Sequence, residues 1–383
     1  MKPEPFTLRV EESVLQDLQR RLDGVHWIPE LVDGGWSWGA DLPYLRSLVA
    51  YWRHGFDWRA RVEALNRFSH FRARVQGTGI HFIRERGKGP APVPLLITHG
   101  WPGSFAEMTR ILPHLTDPAS HGGRAEDAFD VVVPSMPGFG FSDVPTSSGT
   151  SVFAMADLFV ALMAGLGYER FFAQGGDFGA GVSTALALGH PSRLLGLHLN
   201  YIPGSYLPHL EPEAELAGEE TSFLREQEAW YEQEGGYSHV QGTRPDCLSV
   251  ALQDSPVGLA AWIIEKFRAW GDCNGDVESR FSKDELLTNV MIYWCTGTIA
   301  SANRLYVEGR RRPMRLARGQ RVSVPTAVAR FPLEAPFPPR AWVERGYDVV
   351  RWTEMPRGGH FAALEEPELL AQDVREFCRK WRE

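Results

Sequence analysis

Phe171-Phe172-Ala173-Gln174-Gly175-Gly176-Asp177-Phe178-Gly179 opens on a short apolar run and ends on a glycine-flanked aspartate, and the Ala/Gly-rich stretch 180–188 follows it. Read in order, this is a strand, a sharp turn and a helix suited to lying close on a sheet. Small residues two places before and two places after Asp177 are what a tight strand-to-helix elbow requires, because the turn lifts the central side chain out and leaves no room for larger neighbours. Asp stands where such elbows usually present Ser. Five residues alone also fit an ordinary aspartate turn, so the reading rests on what surrounds them.

What surrounds them is an alternating pattern. Residues 93–98, 130–134, 171–174 and 194–200 are short apolar runs separated by segments long enough for crossover helices, which predicts a doubly wound, mostly parallel α/β sheet. Ahead of them, 71–76 and 80–86 flank Gly77-Thr78-Gly79 and predict a hairpin. Residues 7–66 read as helical and tryptophan-rich, with Val14, Leu15, Leu18 and Leu22 and then Leu45, Leu48 and Val49 at helical spacing. The expected division is an N-terminal extension over 1–90, a first core part over 91–205, a helical cap over 206–319 and a second core part over 320–383. Within the cap the strand signal vanishes and three helical stretches are expected. Ser255-Pro256 opens one over 257–270, and the capping box Ser282-x-x-Glu285 opens another over 283–306. Strands resume at 322–331 and 349–354, and an amphipathic helix over 367–381 closes the chain.

Composition excludes several classes. Of 383 residues, 43% are hydrophobic and 23% charged, ordinary values for a globular protein. The net charge of -8 is spread along the chain, and the nearest approach to a basic run, Arg310-Arg311-Arg312, reads as a solvated loop, so no nucleic-acid partner is expected. Cys247, Cys273, Cys295 and Cys378 show neither disulfide-like nor metal-like spacing and suit the reduced thiols of a cytosol. Residues 1–10 have no apolar region and no window is long enough to span a bilayer, so neither secretion nor membrane anchoring is expected. Gly138-Phe139-Gly140 lacks the third glycine and helix of a dinucleotide fingerprint, and no cofactor is expected.

The elbow marks an α/β-hydrolase fold, in which a catalytic triad follows the chain order nucleophile, acid, histidine. His360, in Arg357-Gly358-Gly359-His360-Phe361, lies just past the strand ending near Glu354, and Glu334 lies three residues past the strand ending at Phe331. Asp348 and Glu354 are rival acids. Catalytic groups of open α/β sheets gather beyond the carboxyl ends of strands, so Asp177, Glu334 and His360 can converge. His99-Gly100-Trp101-Pro102-Gly103 ends an earlier strand at the place that supplies an oxyanion-hole donor, which makes the backbone N–H groups of Trp101 and Phe178 the candidates. The His99 side chain reads as structural.

An aspartate at the elbow implies alkyl transfer. A serine attacking an sp3 carbon would leave an ether, whereas a carboxylate leaves an ester that water can cleave. Opening a strained ring also releases an alkoxide, and a phenol, with an ordinary pKa of about 10, can protonate it at neutral pH. Tyr231, Tyr237, Tyr293 and Tyr306 in the cap region are all candidates, and the residues alone do not choose among them. The aromatic residues Trp36, Trp38, Trp230 and Trp270 would suit an apolar or aryl substrate but read more readily as core, and are not counted among the site residues.

These motifs, with Pro29-Glu30-Leu31, Leu286-Leu287-Thr288-Asn289-Val290-Met291, Phe331-Pro332-Leu333-Glu334 and the Ser104 that follows the His99–Gly103 loop, resemble the microsomal-type epoxide hydrolases and their insect juvenile-hormone and bacterial relatives. The resemblance covers nearly the whole chain. It implies Asp177 as nucleophile, His360 as base, Glu334 as its partner, and Tyr237 and Tyr306 as the phenols holding the oxygen of a small-molecule epoxide. Microsomal members begin with a membrane anchor that is not seen here, so the expectation is a soluble, cytoplasmic bacterial form. Detoxification and natural-product pathways of the enediyne kind are both compatible with it, as is a homo-oligomer. A haloalkane dehalogenase would share the aspartate but need N–H donors to halide rather than phenols, and a non-catalytic binding protein of this fold would be expected to lack a triad member.

Overall fold

The computed structural model describes every residue except Pro212, Ala214, Ala335 and Glu383. Among the described residues one sheet of nine strands runs in the order β1-β2-β3-β5-β4-β6-β7-β8-β9. In chain order these are β1 (Glu4–Pro5), β2 (His70–Val75), β3 (Thr78–Glu85), β4 (Val93–Thr98), β5 (Phe129–Pro134), β6 (Phe171–Gly175), β7 (Leu194–Leu199), β8 (Val322–Arg330) and β9 (Tyr347–Glu354). Neighbours from β5 across to β9 are parallel, while β1, β2 and β3 are antiparallel and join through β3 to β5. Every residue of β5 and β7 is buried, as expected where helices cover both faces of a parallel sheet. The chain reverses its direction of growth at β4, which has β5 on one side and β6 on the other. The crevice beyond the ends of β4 and β6 is the place where such sheets bind ligands.

The hairpin forms with a turn shifted from the expected one. Val75 already pairs with Thr78, so the two turn residues are Gln76 and Gly77, both at positive φ (46° and 87°). Such a two-residue turn matches the right-handed twist of its strands. The glycine triplet drew the expectation one residue too far along.

The elbow is as tight as its glycines imply. Asp177 takes a left-handed φ of 45° between β6 and the helix Asp177–Gly189. A Cβ on Gly175 would come within 2.3 Å of the Gly179 carbonyl, and one on Gly179 within 1.9 Å of the Thr98 carbonyl. No larger residue fits at either place without moving the backbone.

Between β7 and β8 the described residues form six main helices rather than three: Gly218–Glu234, Gly236–Thr243, Pro245–Asp254, Pro256–Trp270, Lys283–Thr296 and Ile299–Arg311. The Ser282 capping box is present, with the Glu285 carboxylate accepting from the Ser282 N–H at 2.9 Å and the Ser282 hydroxyl from the Glu285 N–H at 3.3 Å. The helix expected over 283–306 is in fact two. It ends at Gly297, whose φ of 65° turns the chain out of the helix while its N–H caps the Tyr293 carbonyl. The last helix runs from Pro367 only to Cys378. No single helix among the described residues is long and apolar enough to cross a membrane.

Candidate active site

The loop after β4 lies directly against the elbow. The Trp101 N–H donates to Asp177 Oδ1 at 2.8 Å, and the Phe178 N–H, at the start of the helix, also favours the anionic carboxylate. This close approach needs Gly100, since a Cβ there would come within 2.0 Å of Oδ1. Burial raises the Asp177 pKa above the ordinary carboxylate value, and the His360 charge with the two amides limits the rise.

His360 lies on the other flank. Its Nδ1 faces both Glu334 oxygens, at 2.9 and 3.0 Å, and its Nε2 is 3.7 Å from Asp177 Oδ2. The Glu334 carboxylate fixes the proton on Nδ1 and turns Nε2 toward Asp177. Burial opposes charge on the imidazole, but Glu334 outweighs it with help from Asp177, and His360 is held up at about 9. The rival acids lie elsewhere: Glu354 is a surface partner of Arg330, and Asp348 sits near the start of β9 rather than beyond its end.

Three of the four candidate phenols, Tyr231, Tyr237 and Tyr306, line one pocket of about 450 Å³ with Asp177. The Tyr237 ring stacks on Trp101 at 5.3 Å, and Tyr306 stands edge-on to Trp101 at 5.7 Å and to Phe178 at 4.9 Å. Their hydroxyls face one another, and burial pushes both pKa values well above the ordinary phenol value. Tyr231 lines the same pocket, whereas the Tyr293 hydroxyl is spent on the Gly103 carbonyl at 2.7 Å. A larger groove of about 830 Å³ beside the helix Glu12–Asp23 contains none of these groups. The His99 side chain is buried and bonded to backbone, as expected. No group of His, Cys, Asp and Glu among the described residues is arranged to hold a metal ion.

Sequence reasoning missed other residues of the site. Trp270, read as core, packs its ring 5.1 Å from His360 and accepts the His360 N–H on its carbonyl at 3.0 Å. Tyr201 lies 5.9 Å from the imidazole, just past β7, a position that could have drawn attention. The Glu365 carboxylate accepts from the Gly359 and Phe361 N–H groups on either side of His360, at 3.1 and 2.8 Å, and from the Asp272 N–H at 2.6 Å. Burial outweighs those donors and lifts its pKa to about 7. Glu365→Ala would leave three N–H groups, two of them buried, without this partner. It should lower the unfolding free energy by about 2–4 kcal/mol in urea titrations and slow turnover by loosening the histidine loop.

Residues 3–108 match the family described as epoxide hydrolase N terminus, and residues 93–231 match the α/β hydrolase fold. Epoxide hydrolase 1 of Oryctolagus cuniculus is 40% identical over 404 residues, an alignment covering 97% of this chain and 88% of that protein. The crystal structure of juvenile hormone epoxide hydrolase from the silkworm Bombyx mori superposes with a TM-score of 0.85 at 33% identity, over 100% of this chain and 94% of that one. Aspergillus niger epoxide hydrolase superposes with a TM-score of 0.86 at 28% identity, over 100% and 97%. With the elbow, the cap between β7 and β8 and this likeness along its whole length, the chain belongs to the microsomal-type epoxide hydrolases of the α/β-hydrolase fold.

Proposed function

We propose that this enzyme converts an apolar or aryl epoxide into a vicinal diol through a covalent ester on Asp177. Tyr237 and Tyr306 hold the epoxide oxygen, and His360, oriented by Glu334, activates the water that cleaves the ester. The observation that carries this reading is the opposition across one pocket of a carboxylate and two neutral phenols. The pocket volume suits a small organic ligand, and Phe178, Tyr201 and Met314 in its walls support an apolar one.

Protons balance around the cycle. The resting site pairs an imidazolium with the Asp177 carboxylate, in keeping with the raised His360 pKa. Trp101 holds Oδ1, so Oδ2 attacks the epoxide carbon, the carbon–oxygen bond of the ring breaks, and a phenol protonates the alkoxide. The imidazolium returns a proton to the phenolate through the pocket. Esterification also removes the Asp177 charge that helped to hold the proton on His360, which leaves a neutral base. That base takes a proton from water as it adds to the ester carbonyl, while the Trp101 and Phe178 N–H groups hold the oxyanion. Collapse breaks the bond from Cγ to the alkyl oxygen, the proton left on the new acid passes to the departing diol, and the ion pair is restored.

A single turnover with enzyme in excess, run in water labelled with heavy oxygen, tests the route. The first diol should be unlabelled, because its added oxygen comes from Asp177, and the label should appear in the peptide containing Asp177. A labelled first diol with an unlabelled Asp177 would mean that water attacks the epoxide directly.

A further inference from the structure

Behind Asp177 lies a second space. It is narrow, has a volume of about 10 Å³, and is lined by Glu107, Gln174, Asn200 and His360 among others. It shares Asp177, and no other lining residue, with the substrate pocket. The carboxylate is therefore the wall between them. A space of this size holds about one water and no epoxide, and a water stays in a cavity only where polar groups bind it.

Most polar side chains around this cavity are already engaged. The Gln174 amide donates to Asn200 Oδ1 at 2.7 Å, and His99 is bonded to the Gly100 carbonyl and the Met136 N–H. Glu107 differs. It sits in the short turn Phe105–Thr109 and reaches back over Gly103, where a Cβ would come within 2.2 Å of its Oε2. No side chain or amide among the described residues bonds its carboxyl.

We propose that this cavity seats the water that hydrolyses the Asp177 ester, and that the Glu107 carbonyl oxygen accepts one hydrogen of that water while His360 Nε2 takes the other. The proposal rests on the covalent route above. A water held between these two groups has a lone pair left for Cγ of Asp177, on the side away from the alkyl group. Its oxygen bonds to Cγ and its proton passes to Nε2, while the hydrogen held by Glu107 stays on the oxygen until the tetrahedral species collapses.

The charge state of Glu107 fits this role. Burial lifts its pKa to about 8, with Asp177, Glu365 and Glu334 adding to the rise and His360 opposing it. That rise favours the uncharged acid at neutral pH. An anion here would add a further negative charge beside an imidazole that already faces Glu334, and would hold the proton on the group that must act as base. A neutral carboxyl orients water without that cost.

The test separates the two half-reactions in the full-length enzyme, with styrene oxide as probe and quenched samples read by mass spectrometry. Glu107→Leu keeps the volume and removes the acceptor, whereas Glu107→Gln keeps a carbonyl. In the Leu variant the ester should form at the parent rate and hydrolyse about 100-fold more slowly, so that it accumulates. The Gln variant should retain both rates within about threefold. Hydrolysis at the parent rate in Glu107→Leu would overturn the proposal. So would an equal fall of both rates, which marks a structural role, or a Gln variant as slow as the Leu variant, which marks a need for the anion. Should the Leu variant not fold, Glu107→Met is read in the same way. Failure of the covalent route itself is distinguishable, because the parent enzyme would then give a heavy-oxygen diol in its first turnover.

Discussion

In the His360→Gln variant, one equivalent of epoxide should be consumed and remain on the protein. On the proposed route attack by Asp177 needs no base, since the attacking group is a carboxylate, whereas cleavage of the ester needs a group that can take a proton from water. Gln cannot, so steady turnover should fall by about 10³-fold or more while intact mass rises by the mass of one substrate. The adduct should map to the peptide holding Asp177. A pH effect follows with a fixed sign. The imidazolium is the charge that most opposes the burial-driven rise in the Asp177 pKa. Without it Asp177 binds its proton more tightly, so adduct formation should slow in mildly acidic buffer and recover as pH rises. A variant that stays unmodified and still turns over would remove His360 from the mechanism.

The elbow was legible because local sterics set it, and the nearness of Asp177, Glu334 and His360 because each follows the end of a parallel strand. Only small residues fit at positions 175 and 179, and an acid four residues beyond the end of β8 is carried to the same crevice as a histidine beyond β9. The phenols were not legible from the residues. Tyr237 and Tyr306 lie on separate helices, Gly236–Thr243 and Ile299–Arg311, and nothing in a helical pattern states which face will close over a distant strand end. The family resemblance supplied that choice. The break at Gly297 was hidden for a related reason: apolar residues continue at helical spacing through it, and one glycine inside such a pattern weakens a helix without having to end it. Glu107 and Glu365 carried no local signal at all. A glutamate becomes unusual only when the fold removes water from around it, as it does for both.

The phenols offer the second large effect, and with the opposite kinetic signature. Each hydroxyl that donates to a developing oxyanion in a dry pocket contributes about 3 kcal/mol, so losing both in the Tyr237→Phe/Tyr306→Phe double variant should slow ring opening by about 10³-fold or more. Either single variant should lose less than half of that in free-energy terms. The two hydroxyls face each other, and the survivor is then free to turn wholly toward the substrate. Stability should barely change, because the rings packed on Trp101 and Phe178 remain and the double variant removes both hydroxyls of the facing pair, leaving neither without its partner. Rapid-quench kinetics should find formation of the ester slowed and its hydrolysis near the parent rate, with no adduct accumulating. In the His360 and Glu107 variants the slow step is the second one. A double Phe variant that opened an aryl epoxide at the parent rate would show that another donor holds the epoxide oxygen, and Tyr231, on the wall of the same pocket, would be the first to replace.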